Sequence, residues 1–186
     1  MENKKPVSLS RDFDEHWSVF STVAIPRKKI EEADSFLGPA INIYRDKKVF
    51  LLDAGCGNCV HAEALKNHSF SDGSLFVGLD ISLLGIRSVK RRIPDWFLVN
   101  ADIAKLPFVD NGFDIVLSFG VLGYVDDPKR SFNELCRVVK RGGLLGIWLS
   151  PRKKSIARNI FNAARMLCKL TGSRGTRIIA NFIVPL

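Results

Sequence analysis

Three aspartates each follow a short apolar run: Asp53 after residues 49–52, Asp80 after 75–79, and Asp102 just past 96–99. Behind Asp53 the chain breaks into Gly55-Cys56-Gly57-Asn58-Cys59 before a helical pattern begins. Two glycines let the backbone turn sharply and approach a ligand with no Cβ in the way, which suits the loop of a nucleotide-containing cofactor. Such a turn also serves many ordinary strand-to-helix connections, so the carboxylates carry the further weight. At the carboxyl end of a second parallel strand, Asp80 would lie beside the glycine loop, where ribose hydroxyls bind. One Asp in a turn is common for its own side-chain hydrogen bonds; three in register at one sheet edge suggest a binding site. Asp53 has a second reading, as a buried carboxylate that organises the glycine loop by accepting its backbone N–H groups.

Cys56 and Cys59 form a C-x-x-C pair at a helix start, where a helix N-terminus could stabilise a thiolate as in thioredoxin-like redox sites. That resemblance ends at four residues. No second pair completes a zinc set, and His61 follows too closely to supply a separate ligand pair, so no metal is expected. Cys136 and Cys168 read as structural filler, and without a secretory signal no disulfide is expected. His61 and His68 read as solvated histidines on the first helix and the loop beyond. His16 and Tyr124 are the candidates for a general base.

The elements that must position these groups alternate. Strands are expected near 49–54, 75–80, 96–100, 113–119 and 144–150, and helices near 59–67, 82–91 and 128–139. Asp127-Pro128 is a helix start, a capping carboxylate followed by proline in the first turn. Residues 27–37 read as a helix ahead of the first strand, and Asp114 as a strand-start residue outside the site.

In this order the motifs resemble those of class I S-adenosylmethionine-dependent methyltransferases, particularly the type 11 branch. The likeness rests on the loop 53–59, Gly78-Leu79-Asp80, the segment 101–108, Gly112-Phe113-Asp114 with the strand behind it, and the segment 134–143 ending in Arg141-Gly142-Gly143; it covers residues 49–150. The resemblance implies a three-layer, Rossmann-like α/β fold, a mainly parallel sheet with helices on both faces. It implies S-adenosyl-L-methionine as cofactor, with Asp53, Gly55, Cys56 and Gly57 against its methionine and ribose part and Asp80 and Ile81 at the ribose. Asp102 would take the adenine amino group with Ile103 flanking the ring, and Ser118, Phe119 and Gly120 would border the methionine end. The chain departs from the family at Cys59, where a third glycine is usual, at Arg141, where proline is usual, and at Tyr124, where relatives often carry histidine. A leading segment often folds over the cofactor in this family, which gives Trp17 a role in closing the pocket or in plain surface anchorage.

Composition fits one globular domain: 186 residues, 46% hydrophobic and 25% charged. No apolar run approaches the roughly 18 residues that span a bilayer, and the first residues lack a signal-peptide pattern, so a cytoplasmic enzyme is expected. The net charge of +9 is uneven: residues 151–186 hold eight of the 28 basic residues and none of the 19 acidic ones, which leaves residues 1–150 at +1. We therefore divide the chain into a cofactor-binding methyltransferase domain, 1–150, with a helical lead-in over 1–45, and a basic helical extension, 151–186. Within 155–170 the basic residues fall on one side of a helical pattern, fit for a solvated face or for an anionic membrane or acidic substrate through the tail 152–177. Relatives continue past the fifth strand with two more, and the expectation here is that strands 6 and 7 are missing, the fifth strand is an open edge and transfer is impaired.

The acceptor expected from the family branch is a small or lipid-linked metabolite. A fold-retaining binding protein without catalysis and an RNA methyltransferase stay as alternatives. A nicotinamide-dependent oxidoreductase fits poorly, because its fingerprint wants glycine at Val60 and gives Asp102 no role. Adenine N6 methylation lacks its Asn-Pro-Pro-Tyr motif, and a nucleic-acid partner is disfavoured by the near-neutral core.

Overall fold

A computed structural model gives the architecture; it describes Asp14 and residues 26–65, 68–90, 93–149 and 177–182. Six strands lie in one all-parallel sheet: β1 Phe50–Ala54, β2 Leu75–Asp80, β3 Phe97–Asn100, β4 Phe113–Phe119, β5 Val139–Leu149 and β6 Arg177–Phe182, in the spatial order β3-β2-β1-β4-β5-β6. The described helices are α1 Arg27–Ile41, α2 Val60–Leu65, α3 Leu83–Val89 and α4 Pro128–Val138. The strand order reverses beside β1, and a doubly wound sheet opens its ligand crevice at that point, beyond the carboxyl ends of β1 and β4.

Both faces of the sheet are covered, so the central strands read as continuous apolar runs with little alternation. On one side Leu52, Ala54, Val116 and Leu145 pack with Phe132, Leu135 and Val138 of α4. On the other, Leu51, Ile115, Leu117 and Leu144 meet Leu37 and Ile41 of α1 and Val89 of α3, with Trp96 beside them. This is the three-layer α/β arrangement. Helix α4 starts as read: the Asp127 side chain accepts from Arg130 N at 2.9 Å and Pro128 occupies the first turn.

Four expectations change. The sheet has a sixth strand: Arg177–Phe182 pairs in parallel with Leu144–Leu149, so β5 is not an open edge. The short apolar run Ile178-Ile179-Ala180 suffices to extend the ladder there, and no antiparallel seventh strand occurs among the described residues. Strand β5 begins at Val139, straight out of α4, and takes the Arg141-Gly142-Gly143 turn as an irregularity, since Phe113↔Val139 is followed by Ile115↔Leu144. Helix α1 runs on to Ile41 with Pro39 inside it, because Leu37 and Ile41 are drawn into the core. The three aspartates are stepped, not level: Asp53 pairs with Gly78, two residues short of Asp80, while Asp102 lies two beyond Asn100, the partner of Asp80.

The lead-in segment is described only at Asp14, whose carboxylate accepts from Ser82 Oγ at 2.6 Å and Leu84 N at 3.2 Å. His16, Trp17 and the helix expected over 155–170 lie outside the described residues. No described helix is long and apolar enough to cross a membrane.

Candidate functional site

The glycine loop is fastened to β2 before any ligand is considered. Gly55 N and Cys56 N both donate to Leu79 O, at 2.6 and 3.0 Å, and Gly57 N donates to Asp80 Oδ2 at 2.8 Å. The other oxygen of Asp80 accepts from Ser82 N at 2.9 Å. Asp80 thus organises the loop, the role that was open to Asp53. Burial pushes the Asp80 carboxyl above its ordinary value of 3.8, and the nearby Asp53 adds to the push against the Ser82 and Gly57 N–H groups, which lower it.

Gly55 is required by packing as much as by ligand approach. It sits at φ +83, and a Cβ there would meet Val121 Cγ2 at 2.2 Å. Cys59, at the position where relatives carry glycine, adopts φ +57. Its side chain is 1% exposed, so apolar burial offsets a backbone conformation that costs an L-residue roughly 1–2 kcal/mol. Cys56 is buried beside it. The hydrogen bond between the two thiols, followed by burial, pushes the Cys56 thiol well above its ordinary value, the reverse of a reactive redox cysteine.

Past β3, Asp102 caps a 3-10 turn, Ile103–Lys105, by accepting from Ala104 N at 2.8 Å. That turn is tied to α4: Arg130 Nε donates to Ala104 O at 2.9 Å, and Leu106 N donates to Glu134 Oε2 at 2.8 Å. Arg137 completes the clamp, reaching Glu134, Asp110 and the Leu106 and Phe108 carbonyls, and it holds the Glu134 carboxyl below the usual range. Gly120, at φ +71, donates its N–H to Trp148 O at 2.8 Å.

These parts enclose a cavity of about 340 Å³. Gly55, Asp80, Ile81, Asp102, Ile103, Phe119 and Gly120 line it. Asp53, Cys56, Gly57 and Ser118 do not; they stand behind the wall, with Asp53 and Ser118 wholly buried. Val121, Val125, Asp126, Asp127 and Arg130 also line it and were missed, because nothing local marks the run after β4 as a wall; only the fold brings it over the glycine loop. Tyr124 is 39% exposed and is not among the lining residues. Asp114 serves the far end of the strands, accepting from Phe50 N and Lys140 Nζ, each at 2.9 Å. Neither described histidine is simply solvated. His68 Nε2 meets Asp34 Oδ1 at 2.7 Å, and His61 turns inward toward Asp53.

The chain belongs to a methyltransferase-domain family, whose pattern matches residues 52–147. It is 40% identical over 97 residues to a demethylmenaquinone methyltransferase of Renibacterium salmoninarum, which covers 51% of this chain and 38% of that protein. It is 27% identical over 140 residues to a malonyl-[acyl-carrier protein] O-methyltransferase of Legionella pneumophila, covering 74% and 48%. The aligned part is therefore less than half the length of either relative. A solved structure from Methanococcus maripaludis, described as a candidate S-adenosyl-L-methionine-dependent methyltransferase, superposes with a TM-score of 0.56 at 21% identity, covering 91% of this chain and 75% of that one.

S-adenosyl-L-methionine is the cofactor this family implies, and the residues present fit it. A Cβ on Gly120 would meet nothing within 4 Å, leaving cradle space beside Gly55. Asp80 and Asp102 both line the cavity and supply carboxylate acceptors there. Both oxygens of Asp53 are buried with no hydrogen-bond partner among the described residues, so negative charge behind the loop favours a cationic ligand.

Proposed function

We propose that this chain transfers a methyl group from S-adenosyl-L-methionine to a small or lipid-linked metabolite. The observation that carries the reading is the cavity itself, which sets the glycine loop, the Asp80 carboxylate and the turn capped by Asp102 around one space. Asp80 and Ile81 would hold the ribose, Asp102 and Ile103 the adenine, and Gly55, Phe119 and Gly120 the methionine end. Bound there, the cofactor supplies a methyl group on an already activated sulfonium leaving group, open to in-line displacement by a nucleophile. The protein's part is orientation and exclusion of water, which in well-aligned systems supplies about 7–11 kcal/mol.

Among the described residues, the titratable side chains along the cavity are the carboxylates of Asp80, Asp102, Asp126 and Asp127 and the Arg130 guanidinium. Relatives are named for demethylmenaquinone, for a malonyl group on an acyl-carrier protein and for a 23S rRNA guanine, and the first two names favour a metabolite over RNA. A cytoplasmic setting accords with Cys56 and Cys59 as buried thiols without a disulfide.

Incubation with methyl-tritiated cofactor and a cell extract tests the proposal. Label should enter organic-extractable small molecules. Partition into RNA or protein would overturn the acceptor class, and binding without any transfer would leave a cofactor-binding protein of this fold.

A further inference from the structure

His61 was a solvated residue in the sequence, yet its side chain is only 18% exposed and its Nδ1 stands 3.5 Å from Asp53 Oδ2. That distance is at the limit of a hydrogen bond. Neither Nδ1 nor either oxygen of Asp53 has a hydrogen-bond partner among the described residues. A wholly buried, unpaired carboxylate is costly, and here it also repels Asp80 across the loop. His61 offers the compensating donor.

The same ring also reaches the cavity wall. Asp53 pairs with Leu117, which places the two on one face of the sheet, and Phe119, two residues farther along β4, shares that face. The His61 ring lies 4.2 Å from the Phe119 ring at 32° between planes, and Phe119 lines the cavity. Phe36 and Trp148 support Phe119 from other sides, at 5.4 and 6.2 Å between centroids. One imidazole thus joins the orphan carboxylate to the wall beside Gly120.

We propose that His61 is a positioning residue for the methionine end of the cofactor, its Nδ1–H holding Asp53 and its ring face setting Phe119. The inference rests on the cofactor reading above. It goes beyond that reading by giving a role to a residue that touches neither the cofactor nor the cavity.

Calorimetric titration with S-adenosylhomocysteine tests it on wild-type protein, His61→Leu and His61→Asn. Leucine keeps apolar bulk against Phe119 and removes the N–H, whereas the asparagine amide can place a donor near the Nδ1 position. The leucine variant should bind about tenfold more weakly, and the asparagine variant should recover to within about threefold of wild type. If packing alone mattered, the order would reverse, leucine matching wild type and asparagine weaker, and the proposal would fall. Nitrogen-15 NMR of wild-type protein supplies a readout that needs no variant: the His61 Nδ1 resonance should move on addition of S-adenosylhomocysteine, and an unmoved resonance in protein that does bind would overturn the inference alone. Wild-type protein that binds no S-adenosylhomocysteine would overturn the cofactor reading, and this one with it.

Discussion

Asp80 sits where three demands meet, holding Gly57 and Ser82 by their N–H groups while offering its remaining lone pairs to the cavity. Its carboxyl is raised above 3.8, chiefly by burial, so the folded protein retains this proton at a pH where the unfolded chain has lost it. The stability contributed by this group is therefore greatest in acid and declines as pH rises through the raised value. Binding runs the other way, because ribose hydroxyl donors favour the ionised carboxylate. Affinity for S-adenosylhomocysteine should fall on acidification through that raised pKa, whereas Asp80→Asn should bind about 1.5–3 kcal/mol more weakly with a flatter profile. Calorimetry from about pH 4 to 7 checks this, and a variant with the wild-type slope would remove Asp80 from the site. The places of Asp80 and Asp102 along the cavity were legible because each depends on its own strand end. The depth of Asp53 was not, since it is set by the register with Gly78 on another strand. His61 was misread for the same reason: the sequence places it on a helix, but only the packing of α2 turns it toward β1.

The strands, being continuous apolar runs closed by turn residues, were legible almost to the residue, and α4 announced itself through its capping pair. What escaped was the behaviour of elements against one another: the bulge that lets β5 start inside the expected turn, the extension of α1, and the pairing of β6 across a long intervening segment. Long-range parallel pairing leaves no local signature. Two turns test how far backbone shape and site can be separated. Gly120, after β4, and Gly142, in β5, have φ of +71 and +81, and a Cβ on either would meet nothing within 4 Å. Alanine at each should therefore cost about the same stability, roughly 1–2 kcal/mol of left-handed strain. Only Gly120 borders the cavity. Gly120→Ala should weaken S-adenosylhomocysteine binding beyond its effect on thermal melting, while Gly142→Ala should lower the melting temperature and leave affinity unchanged. Equal losses of affinity in the two variants would place Gly120 outside the binding surface.

Across the whole molecule the charge is divided, a core near neutrality followed by a stretch with eight basic residues and no acidic one. Among the described residues the cavity is lined by the carboxylates of Asp80, Asp102, Asp126 and Asp127 and by the Arg130 guanidinium, whereas the basic excess of the sequence falls in residues 151–186. The spacing of Arg158, Arg165 and Lys169 in the sequence puts them on one side of a helical pattern with apolar residues beside them. Each basic residue near a phosphatidylserine-rich surface contributes about 1 kcal/mol. The full chain should therefore bind anionic vesicles and not neutral ones, and its affinity should drop steeply between low and physiological salt. Replacing all three residues with glutamine should reduce that binding on the order of 100-fold. Vesicle cosedimentation measures both effects. Binding that resists salt, or that survives the triple substitution, would mean that the tail's charge is a solvated face and that the acceptor reaches the site without a membrane.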